Sequence, residues 1–138
     1  MRARFVLCLG LILLAACSYH YELKAVERNG RIIFEPKDDR GTGCFSDFNV
    51  TAESGEVTWD FIVGQYLPPP CKNELPVIYG RVPAGANERV KAAPLRPGIL
   101  YKVEAWDGDS YSGAFRFREG VVVENIDNPR QVSIAVRP

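Results

Sequence analysis

Four cysteines, one histidine and two aspartates around a glycine are the side chains of this 138-residue chain whose types could carry chemistry. Cys44 and Cys71 lie far apart and form no Cys-x-x-Cys pair, the arrangement of many redox-active dithiols. Two cysteines and the single His20 do not complete a four-ligand zinc site, so neither metal nor cofactor is expected. Asp107-Gly108-Asp109 lacks the further spaced donors and the distal acid of a calcium loop. Between two strands, Asp-Gly reads as a turn. Ser46, Ser54, Ser110, Ser112 and Ser133 stand in no Gly-x-Ser-x-Gly elbow, and His20 falls three residues after Cys17, where a tether is expected. Each catalytic route lacks a part, and the chain is expected not to be an enzyme.

The segment that places Cys17 carries more information. Arg2 and Arg4 precede an apolar run from Phe5 to Ala16, too short for the ~20 residues that span a bilayer. A basic start, a short apolar stretch and small residues before a cut describe a secretory signal over residues 1–16. Leu14-Ala15-Ala16-Cys17 resembles the lipobox of bacterial lipoproteins. That resemblance implies cleavage before Cys17, a diacylglycerol on its sulfur and an acyl chain such as palmitate on its amine. The expected partner is then the membrane, reached through the lipid. Ser18 follows Cys17 where aspartate would favour inner-membrane retention, so the implied location in a diderm cell is the outer membrane, facing the periplasm or the surface.

Residues 17–21 read as a lipidated tether and 22–138 as a single domain, long enough for a real core. Loss of Arg2 and Arg4 leaves 15 basic residues against 17 acids, a formal charge of −2 without a basic cluster. Nucleic acid is therefore not an expected partner. Cys44 and Cys71 remain as an even pair in an exported chain, where a disulfide is the natural state. Closing that loop is worth roughly 3–4 kcal/mol in the chain-entropy account.

The rest of the domain reads as strands. Leu23–Glu27 and Arg31–Glu35 flank Asn29-Gly30, a pair that accepts the positive φ angles of a tight hairpin turn. Phe45–Ala52 and Val57–Val63 follow, with Val57, Trp59, Phe61 and Val63 on one face and Thr58, Asp60 and Ile62 on the other. Pro76–Val82 reads as a strand and Glu88–Ala93 as a short edge strand. Tyr101, Val103 and Ala105 alternate inward on the next. Ser112–Arg118 places Phe115 and Phe117 on one side. Gly120–Ile126 and Gln131–Val136 read as a closing hairpin. No window of helical length carries an apolar 3.6 period, so the expected class is all-β.

Leu95, Pro97-Gly98 and Tyr101, together with Trp59 and the Val77–Val82 segment, resemble the fibronectin type III pattern over roughly Val57 to Phe117. The resemblance implies an antiparallel β-sandwich of the immunoglobulin/fibronectin III kind. It also implies a Tyr101 hydroxyl bonded to backbone near Leu95–Pro97. The early hairpin, the closing strand pair and the cysteine pair depart from that pattern.

These features point to a lipid-anchored, non-catalytic structural or protein-interaction module of the cell envelope. The competing expectation is a periplasmic ligand-binding or hydrolase-inhibiting lipoprotein. An aromatic pocket would favour a small ligand; a flat aromatic-proline patch would favour a protein. Tyr66, Leu67, Pro68, Pro69 and Pro70 form the expected surface for an envelope protein, because prolines stiffen a segment before it binds.

Overall fold

The computed structural model describes residues 19–41, 43–63, 75–118 and 122–127, and these contain strands and no helix. Nine strands run in chain order: β1 (His20–Arg28), β2 (Arg31–Pro36), β3 (Asp47–Ala52), β4 (Val57–Val63), β5 (Val77–Ile78), β6 (Ala86–Val90), β7 (Leu100–Asp107), β8 (Asp109–Arg118) and β9 (Val122–Ile126). They hydrogen-bond in the order β5-β2-β1-β8-β7-β3-β4-β6, with β9 also on β8. The sheet curls into a half-barrel. Every pairing is antiparallel except that of β1 with β8. The expectation of an antiparallel arrangement is thus corrected to a mixed sheet.

β1 divides its pairing between two neighbours. His20–Glu22 of β1 pair with Ser110–Ser112 of β8, whereas Leu23–Arg28 pair with β2. Beyond Gly113, β9 replaces β1 beside β8, from Ala114 to Arg118. β1 therefore leaves one part of the sheet and crosses towards the other at Leu23. Gly113 lies beneath that crossing: a Cβ there would stand 2.3 Å from the Leu23 carbonyl oxygen. Only glycine lets the two backbones approach this closely.

Within the curl, the Phe34 ring of β2 lies 5.7 Å from Phe48 of β3 and 5.4 Å from Phe115 of β8. Trp59, Phe61, Tyr101 and Val103 complete a core that excludes water almost fully. Burying aromatic rings of this size dominates the stability of a small β domain. Tyr101 behaves as its motif implies, for its hydroxyl accepts the Arg96 backbone N–H at 2.8 Å.

Local signals are followed closely at the turns. Asn29 and Gly30 adopt φ angles of 54° and 74° and join β1 to β2. Gly108, at φ 75°, joins β7 to β8 inside Asp107-Gly108-Asp109. Three expectations need correction. The Pro76–Val82 strand shrinks to Val77–Ile78, because Tyr79 and Gly80 turn the chain and the Arg81 N–H donates to the Ile78 carbonyl. The edge strand is Ala86–Val90, two residues earlier than expected at its start. Val57 is exposed and Thr58 buried, because the register shifts between Val50 and Thr51 at this end of β4. The buried Thr58 hydroxyl donates to the Val50 carbonyl at 2.9 Å. The Gln131–Val136 strand lies outside the described residues.

Candidate functional site

β1 is nine residues long, so its two ends lie roughly 30 Å apart at ~3.3 Å per residue. The two ends differ in chemistry.

At its first end, His20 begins β1 rather than standing in a tether. Its ring lies between two serines of β8, with Nδ1 2.9 Å from the Ser110 Oγ and Nε2 3.0 Å from the Ser112 Oγ. A Ser–His hydrolase holds Nδ1 against a carboxylate and aims free N–H donors at an oxyanion. Here Nδ1 faces a hydroxyl, and Ser112 sits on a strand paired on both sides. The arrangement fastens β1 to β8. Tyr21 stacks on Tyr111 at 5.2 Å, and the Tyr111 hydroxyl accepts the Gly43 N–H at 2.9 Å. A Cβ on Gly41 would reach 2.6 Å from that hydroxyl, so the loop after β2 is pressed on the tyrosine pair. Lys37 bridges Glu22 and Asp127, and these bonds push its pKa up to about 12. Cys44 is buried at this end.

The opposite end holds an open groove of about 660 Å³. Ile32 of β2, Ile78 of β5, Tyr79, Leu95 and Phe117 of β8 supply its apolar surface. Tyr79 continues the core outward: its ring meets Trp59 edge-on at 5.2 Å, and its hydroxyl donates to the Ala93 carbonyl at 2.6 Å. Partial burial raises the phenol's pKa above its ordinary value. Glu27, Arg31 and Arg81 are the charged residues along the groove. The Glu27 carboxylate accepts the Gly30 backbone N–H of the hairpin turn.

Arg31 and Arg81 make no ion pair and no side-chain hydrogen bond among the described residues. By contrast, Arg28, Arg40, Arg89, Arg96 and Arg118 each hold a carboxylate. Among the described residues Arg116 also has no side-chain partner, but it does not line the groove. A second depression near Pro36–Gly41 is more polar, and Lys24, Glu35, Asp38 and Arg40 there already neutralise one another.

Of the residues singled out from sequence, Cys17, Cys71 and the stretch Tyr66, Leu67, Pro68, Pro69 and Pro70 lie outside the described residues. The groove residues were not anticipated as a group. Among the described residues, no cluster of His, Cys, Asp or Glu could hold a metal ion, and no helix is long and apolar enough to cross a membrane. No protein-family model matches the chain, and no curated protein or solved structure gives a significant match.

Proposed function

We propose that this protein is a lipid-anchored, non-catalytic binding module of the cell envelope, with its groove turned away from the membrane. The observation that carries this reading is the open groove at the far end of β1 from Tyr19. Lipid on Cys17 would hold the first end of β1 at the bilayer and present the groove roughly 30 Å further out. The volume of about 660 Å³ falls within the range of ligand-binding clefts. Multiple acyl chains on one cysteine anchor a domain far better than one. In a diderm host, the outer membrane is the proposed location.

Within the domain we read an immunoglobulin/fibronectin III-like sandwich, its layers being Leu23–Arg28 of β1 with β2 and β5, and β8-β7-β3-β4-β6 with β9. Phe34 packing against Phe48 and Phe115 supports two facing layers. The Tyr101–Arg96 bond supports the corner. A disulfide between Cys44 and Cys71 would join the chain just before β3 to the segment between β4 and β5.

Two measurements test the functional reading. Labelled palmitate is expected in the wild type and absent from a Cys17→Ala variant; label that persists refutes the anchor. A photo-crosslinking residue is then placed in cells at Leu95 in the groove, at Thr51 on β3, or at Tyr66 before the three prolines. Adducts are expected from Leu95 and not from Thr51. Adducts from Tyr66 alone would move the binding surface to the Tyr66–Pro70 stretch.

A further inference from the structure

We infer that the groove takes a single-chain anionic amphiphile, an alkyl or acyl chain ending in a phosphate or carboxylate. This rests on the proposal that the groove is the binding surface and adds the chemistry of its occupant. Ile32, Ile78, Leu95 and Phe117 offer an apolar floor with no hydrogen-bonding side chain. Tyr79 has its hydroxyl turned to the Ala93 carbonyl, so its ring presents apolar surface. Such a floor favours a hydrocarbon chain, whose methylenes leave water as they settle on it.

The edge of the groove supplies the head-group preference. Arg31 and Arg81 stand against one carboxylate, that of Glu27, which is already bonded to the Gly30 N–H. Guanidinium forks match phosphate and carboxylate oxygens in pairs, and the side chains of Arg31 and Arg81 have no hydrogen-bond or ion-pair partner among the described residues. Elsewhere on the domain five arginines are neutralised by acids of the same chain. Charge complementarity therefore selects an anion over a cation or a neutral head. The groove residues come from β2, β5, the Pro94–Leu95 segment and β8, so the site exists only in the folded chain.

The test uses the full lipidated protein in phosphatidylcholine nanodiscs, with empty nanodiscs as the blank, and titration calorimetry. Octyl phosphate and octanoate are expected to bind one per chain, at least about tenfold more tightly than octyl glucoside. Inorganic phosphate alone is expected to bind weakly. An Arg31→Gln, Arg81→Gln variant should lose the preference for the charged head and keep its denaturation midpoint, since neither side chain holds a partner among the described residues. Equal binding of octyl glucoside, equal binding of inorganic phosphate, or no binding at all would overturn the inference. A protein adduct at Leu95 that octyl phosphate fails to displace would assign the groove to a polypeptide. That outcome ends this inference while leaving the binding-module reading intact.

Discussion

The two ends of β1 solve opposite problems. Where β1 begins, the polar groups described find partners inside the chain: His20 with two serines, the Tyr111 hydroxyl with Gly43, and Lys37 with Glu22 and Asp127. Beyond its other end, two guanidiniums and a strip of apolar surface are left open. An internally satisfied end resists change and has little left to offer a ligand. An open end gives up that stabilisation and keeps donors and apolar area for recognition. If Cys17 carries the proposed lipid, the closed end is the one nearer the anchor.

Stability effects should follow the bonds and close contacts that each residue makes within the fold, and replacing Arg31 or Arg81 at the groove should cost little. The largest belongs to the cysteines. Intact mass after alkylation of the unreduced, envelope-extracted protein should show Cys44 and Cys71 protected. Replacing both by serine should cost roughly 3–4 kcal/mol in chemical denaturation. Two alkylated thiols without reduction would be fatal to the bridge.

Gly113→Ala comes next. Its Cβ would meet the Leu23 carbonyl, backbone that cannot swing aside. A loss of about 1–3 kcal/mol is expected from such overpacking. A variant as stable as the wild type would show that β1 does not cross β8 there. Tyr101→Phe keeps the ring but leaves the Arg96 N–H without its acceptor. About 1 kcal/mol or more should be lost. An unchanged denaturation midpoint would remove the corner from the account of the fold.

The smallest effect is electrostatic. Lys37 has a folded-state pKa raised to about 12, so the stabilisation it gives is fully present below its unfolded value. It fades as pH rises through 12. Lys37→Met should lower neutral stability slightly and take the same small amount out of the alkaline decline in a pH series of denaturation midpoints, because the ion pairs are exposed. An alkaline limb identical in the two proteins would detach Lys37 from it.

Part of this molecule could be read from the chain alone. Asn29-Gly30 specified the first hairpin, since few residue pairs accept two positive φ angles in succession. Leu95, Pro97-Gly98 and Tyr101 located the corner, because that bond spans only five residues. Alternation located β7, whose inward residues Tyr101, Val103 and Ala105 repeat every second position. Composition and the missing helical period settled the all-β class. Tertiary structure decided the rest, for reasons of distance along the chain. The parallel pairing joins His20 to Ser110, ninety positions away, and local preferences carry no information about it. It drew His20 into the sheet and made the sheet mixed. The bulge at Val50 and Thr51 exchanged the burial of Val57 and Thr58, which strict alternation cannot foresee. The groove gathers short pieces of β2, β5, the Pro94–Leu95 segment and β8. In sequence its arginines look like all the others; only the fold decides which guanidiniums meet a carboxylate.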